Sequence, residues 1–141
     1  MITRLLILLS VVFIFACKPK PPHENVESTY PDGSAQLIKY YKNEAMEELV
    51  KEVHYFENGE KRMEGAYKNG ERHGEWTAWY ENGNIWSTGH YKLGKENGLK
   101  TVWHKNGVKY YEGEVVDDQR TGVWRFWNEQ GELLKEVDYS K

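Results

Sequence analysis

Glu64-Gly65-Ala66-Tyr67-Lys68-Asn69-Gly70-Glu71-Arg72-His73-Gly74-Glu75-Trp76, with Trp79-Tyr80-Glu81-Asn82-Gly83 close behind it, is the stretch that decides the fold, because its landmarks return at a fixed interval. Asn58-Gly59, Asn82-Gly83 and Asn106-Gly107 lie 24 residues apart, and Gln130-Gly131 follows at the same step. Gly65, Gly89 and Gly113 keep that step, as do Gly74, Gly98 and Gly122, and the pair Gly70 and Gly94. So does an aromatic column of Tyr55, Trp79, Trp103 and Trp127. Asp32-Gly33, 26 residues before Gly59, opens an earlier and looser copy. All 13 glycines fall into these columns. A period of this length marks stacked supersecondary units, none of which buries its face alone.

Within a unit the segments are too short for helices and are bounded by turn residues. Asn82-Gly83 between apolar–polar runs is a hairpin signal, since a two-residue type I′ turn needs positive φ at both positions. The second connection, Lys92-Leu93-Gly94-Lys95-Glu96-Asn97, reads as longer and polar. Each unit is therefore two strands. The expected fold is all-β, an elongated twisted antiparallel meander of 24-residue repeats over residues 32–141. Strands are expected near 35–41, 49–56, 60–67, 74–81, 84–91, 98–105, 108–115, 122–128 and 132–139. Residues 43–53 leave two readings, a helix capped by Asn43 or a loop followed by a strand. The repeat phase, kept from Val50 onward, favours the second.

The first 16 residues differ in kind. Arg4 precedes the greasy run Leu5 to Phe15, which ends at Ala16. Such an apolar core, about 7–15 residues long, suits a secretory signal and falls short of the ~20 residues of a spanning helix. Ile14-Phe15-Ala16-Cys17 resembles the bacterial lipobox, which implies cleavage before Cys17 and a diacylglycerol on its thiol. The other reading is an ordinary signal peptide with a buried cysteine, but the following Lys18-Pro19-Lys20-Pro21-Pro22 suits no core. Residues 17–31 hold all four prolines and read as a lipidated tether to a membrane. With a single cysteine, no intramolecular disulfide forms.

The quoted stretch looks like MORN repeats of the bacterial variant type, and is similar to the YwqK family of antitoxin components from toxin–antitoxin systems. The likeness runs over about residues 50–139, with Lys100 in place of a tryptophan, Val115 in place of a tyrosine and Asp118 in place of a glycine. It implies a scaffold that binds proteins or phospholipids, with no catalytic residues to carry over. A toxin is the partner it implies. An exported Cys17 lipoprotein would meet that toxin outside the cytoplasm, as an immunity lipoprotein does.

The residues themselves also read as non-catalytic, with no cofactor and no metal. There is no Gly-x-Ser-x-Gly elbow. Glu57, Glu81 and Glu129 recur at equivalent turn positions, which repeat architecture explains better than a tuned acid/base pair. His54, His73, His90 and His104 lack metal-ligand spacing, and Asp117-Asp118 lacks the further oxygens a calcium loop needs. The glycines of Gly70-x-x-x-Gly74 lack the helix and lysine of a phosphate cradle. A net charge of −3 argues against duplex nucleic acid as a ligand. What remains is aromatic: six tryptophans and ten tyrosines. If the Asn-Gly turns hold two residues, Trp79 faces Trp86, Trp103 faces Tyr110 and Trp127 faces Leu134 on one half-polar face. On the other, Trp76 faces Gly89, Gly74 faces Tyr91, and Met63, Ala78, Ile85, Val102 and Phe126 mark the packed side. Trp79, Trp86, Trp103, Tyr110 and Trp127 are thus the candidate partner-binding stripe, for a protein or, alternatively, for an envelope glycan. A purely structural lipoprotein is the third reading. The unpaired strands at either end of an open sheet leave a route to homodimers.

Overall fold

The computed structural model describes residues 20–140. It holds eleven strands: β1 (His23–Thr29), β2 (Ala35–Tyr41), β3 (Leu49–Tyr55), β4 (Lys61–Lys68), β5 (Glu71–Trp79), β6 (Ile85–Lys92), β7 (Lys95–Glu96), β8 (Gly98–Trp103), β9 (Lys109–Val116), β10 (Gln119–Trp127) and β11 (Leu133–Asp138). They form one antiparallel sheet in chain order, with the short β7 pairing β6 beside β8. The all-β meander expected from the repeat is the fold. Residues 43–53 are a loop and then β3. Lys42 N–H donates to Glu48 C=O across that loop at 2.9 Å, and Met46 stands at a φ of 54°, which no helix admits. The expected signal sequence and Cys17 lie outside the described residues. The tether reading needs correction within them: residues 23–29 pair with β2, Glu24 opposite Tyr40 and Val26 opposite Ile38. An edge strand is as extended as a linker, and its polar side chains suit the solvent on its open side.

The turns are exchanged relative to expectation. At Asn82-Gly83, Tyr80 N–H donates to Asn84 C=O at 2.8 Å, and Gly83 N–H donates to Tyr80 C=O at 2.9 Å. Gly83 takes a φ of 83° and Asn82 is not left-handed. This is a three-residue loop closed by a glycine bulge. The asparagine is there for its side chain. Asn82 Oδ1 accepts from Asn84 N–H at 3.2 Å, and its Nδ2 donates to Lys105 C=O, also at 3.2 Å. Asn58 reaches Glu81 C=O at 3.2 Å and Asn106 reaches Glu129 C=O at 2.9 Å in the same way, so each turn is tied to the next. The two-residue turns with both residues at positive φ are instead Asn69-Gly70, Leu93-Gly94 and Asp117-Asp118.

The three-residue loop shifts the register by one, and a β-bulge immediately beyond it shifts the register back. Trp79 therefore pairs with Ile85, Trp103 with Lys109 and Trp127 with Leu133, which corrects the expected partners Trp86, Tyr110 and Leu134. Past the bulge the expected pairs hold, Trp76 with Gly89 and Gly74 with Tyr91, and Arg125 pairs with Glu136.

Among the described residues no second layer covers this sheet, and its core is built from the sheet's own side chains. Trp76 and Trp124 are buried, the latter 1% exposed. A Cβ placed on Gly65 would overlap the Trp76 ring, and one on Gly113 would overlap the Trp124 ring. Each indole is fastened through Nε1, donating to Ala66 C=O at 3.2 Å and to Glu114 C=O at 3.1 Å. Lys100 holds the equivalent place between them, its ammonium on Glu96 at 2.8 and 2.9 Å, and the Glu96 carboxylate lies over Gly89. Ala78 and Val102 are buried on this side as expected, whereas Ile85, the partner of Trp79, lies on the opposite face and is exposed, which corrects its place on the packed side. The opposite face is less polar than its sequence suggests, since Ile38, Val53 and Thr101 are buried there, Val53 at 2% exposure.

These contacts rank the glycines. Gly113→Ala should cost at least about 3 kcal/mol, because backbone and ring must part to admit a methyl group. Gly89→Ala should cost less than half as much, because the Glu96 carboxylate that it meets can swing aside. Urea denaturation of the two variants reads the difference. Equal losses would mean that the ring contact does not set the cost.

Candidate functional site

The sheet presents two faces, and the expected aromatic stripe is divided between them. Trp79, Trp103 and Trp127 share a face with Lys61 and Lys109. Lys61 Nζ stands 5.8 Å from the Trp79 ring centroid, and Lys109 Nζ stands 5.5 Å from that of Trp127. The same ammonium groups bind carboxylates, Lys61 on Glu64 at 3.0 Å and Lys109 on Glu112 at 2.7 Å. Glu64 also takes Lys51 at 2.9 Å. Burial pushes the Glu64 carboxyl up, but the two ammonium groups outweigh burial and hold it below the usual glutamate value. That stabilisation is present above the unfolded glutamate pKa and is lost as pH falls through the lowered folded value. Arg125 Nε donates to Glu136 at 2.7 Å further along this face. The three tryptophans are half-buried under this charged lattice.

Trp86 and Tyr110 are on the other face. Each is the extra residue of a β-bulge, and a bulge turns two successive side chains to one side. The rings of the neighbours Tyr110 and Tyr111 accordingly lie 5.2 Å apart, and Trp86 lies 6.3 Å from Tyr80. Trp86 is 49% and Tyr110 44% exposed, although Trp76 and Trp124 on the same face are buried. Alternation along a strand, the rule that places the other rings, misplaces these two by one residue.

The buried tryptophans have a charged cover of their own. The Arg72 guanidinium lies 4.0 Å from the Trp76 ring centroid and 5.6 Å from that of Tyr91. Arg120 repeats the arrangement on Trp124 at 4.3 Å and donates to Tyr139 Oη at 3.2 Å. Cation–π stacking of this kind stabilises the fold.

Among the described residues, no three His, Cys, Asp or Glu side chains are grouped to hold a metal ion. His54 contacts Glu52 at 3.2 Å and His104 Nε2 meets Trp127 C=O at 3.0 Å, each inside the repeat architecture. Burial, with Glu24 and Tyr55 nearby, pushes the Tyr40 phenol up to about 12, so it stays a neutral ring. Among the described residues, no helix is long and apolar enough to cross a membrane.

The MORN repeat variant family matches the chain twice, over residues 72–93 and 120–141. No curated protein matches it. The matched segments open on the arginines that stack over Trp76 and Trp124. The unmatched unit between them carries Glu96 and Lys100 at those positions, an ion pair in place of the arginine and the ring. MORN repeats are interaction modules, and their family is generally non-enzymatic.

Burial separates structural from available rings. Trp124→Ala should cost about 3–5 kcal/mol by thermal or chemical denaturation, whereas Trp86→Ala should change stability by less than about 1 kcal/mol. A large loss at Trp86 would place that ring in the core and remove it from the candidate surface.

Proposed function

We propose that the protein is a non-catalytic interaction module, exported and held to a membrane by lipid on Cys17, whose ligand is another protein docking on the face of Trp86 and Tyr110. The observation that carries this reading is the exposure of those two rings on β-bulges, in a small domain that buries Trp76 and Trp124 on the same face. Tryptophan and tyrosine supply interface energy out of proportion to their number, and two rings held out by fixed backbone lose little entropy on binding. Trp79, Trp103 and Trp127 serve the fold in this reading, as the charged lattice over them suggests. In this reading the partner is a toxin acting outside the cytoplasm, and this protein has an immunity role.

Two measurements test the proposal. Mass spectrometry of membrane-extracted protein should find Cys17 as an acylated N-terminus; an intact Met1 or an unmodified Cys17 would contradict the anchor. Cross-linking in intact cells should join the protein to one partner, and the double substitution Trp86→Ala with Tyr110→Ala should abolish that adduct at unchanged melting temperature. Retention of the adduct, or capture only of glycan strands, would contradict the docking face. For the immunity role, the neighbouring reading frame should encode a secreted protein that arrests growth unless this chain is present.

A further inference from the structure

Three slots lie side by side on the face of Trp86, one for each repeat, between successive bulge residues Arg62, Trp86, Tyr110 and Leu134. Their floors are Ala78, Val102 and Phe126. The second and third slots are filled and strapped. Val102 is buried, and Tyr80 Oη crosses the second slot to donate to Trp103 C=O at 2.8 Å. Phe126 packs 5.8 Å from Tyr111, and His104 Nε2 reaches Trp127 C=O at 3.0 Å across the third. The first slot has neither device. Its floor is a methyl group, and Phe56, at the position of Tyr80 and His104, has no atom that could hydrogen-bond to the next strand. What remains is an open groove of about 460 Å³, bounded by Phe56, Met63, Ala78, Tyr80 and Trp86.

The rim is charged. Arg62 and Lys105 line the groove, against the single carboxylate of Glu81. Among the described residues neither Arg62 nor Lys105 has a carboxylate within 4.0 Å, and neither stacks on a ring as Arg72, Arg120 and Lys135 do. An apolar floor between two unpaired cations is complementary to a large apolar side chain flanked by acidic residues.

We infer that this first slot is an anchor pocket for one aromatic or long aliphatic side chain in an acidic segment of the partner protein. The inference rests on the protein-interaction reading above and names where, and with what chemistry, the partner is held. Arg62 and Lys105 steer the segment and pair with its carboxylates; Trp86 and Met63 close on the apolar side chain.

The repeat itself supplies a fold-compatible plug. Ala78→Phe copies the residue that Phe126 places at the same position, and Ala78→Val copies Val102, should the larger ring disturb folding. The probe is a short fluorescein-labelled acidic peptide with one central phenylalanine, followed by polarisation against the full folded repeat domain. Binding in the micromolar range is expected, weakened about tenfold or more by the plug and likewise by Arg62→Glu with Lys105→Glu, with circular dichroism unchanged. Peptides with alanine at the centre, or with amides in place of the carboxylates, should bind as weakly as the plugged protein. Binding indifferent to the plug overturns the pocket. So does plug-sensitive binding of phosphatidylglycerol vesicles while the peptide stays silent, which would give the groove to lipid, or plug-sensitive dimerisation in sedimentation, which would give it to a second copy. If the plugged chain still cross-links to the cellular partner, the pocket is wrong and the interaction reading stands. If the unplugged chain cross-links to nothing, the interaction reading itself has failed.

Discussion

A tryptophan ring over a glycine backbone is the contact on which this molecule depends. Among the described residues no layer opposes the sheet, so each buried side chain there finds its cover beside it. Glycine at 65 and 113 lets the rings of Trp76 and Trp124 sink onto the neighbouring strand, and arginine stacked on the outer side of each ring completes the enclosure. Burying a ring of ~150–250 Å² contributes on the order of 5 kcal/mol, a large share of what holds a small domain together. The middle unit shows that the backbone pattern survives without the ring. There the Lys100–Glu96 pair takes the same space, at the cost of desolvating two charges.

Because packing is done locally, the two faces are free to differ. One carries tryptophans under a lattice of lysine, arginine and glutamate. The other carries rings that β-bulges hold away from the sheet. The bulge is thus the device that turns a structural repeat into a surface with anchors, by re-aiming one side chain per unit without disturbing the ladder beyond it. Differences among units then appear in the side chains at the bulge and the floor, where Ala78, Val102 and Phe126 grade one slot from open to filled.

The fold was legible because glycine columns and a fixed 24-residue step survive in the sequence as spacing. Local geometry was legible only in part, and the reason is specific. The three-residue loop at Asn82-Gly83 and the bulge at Trp86 each displace the register by one residue in opposite senses. A two-residue turn therefore leads to the correct Trp76–Gly89 pair and the wrong Trp79–Trp86 pair. Asn69-Gly70 and Asn82-Gly83 are the same dipeptide in two different turns. Asn82 also hydrogen-bonds to the following unit, a long-range contact that the dipeptide alone does not reveal. Strand β1 was hidden for another reason. It lies among prolines and carries no glycine of the repeat, and an extended tether and an edge strand share one backbone signature.

The claim that these glycines exist to admit the tryptophans is tested most directly by a double-mutant cycle on Gly65 and Trp76, followed by urea denaturation. Gly65→Ala should be strongly destabilising in the native background and nearly harmless once Trp76→Ala has removed the ring, a coupling of at least about 2 kcal/mol. Costs that simply add, to within about 0.5 kcal/mol, would show that Gly65 is required for some other reason and would contradict the account.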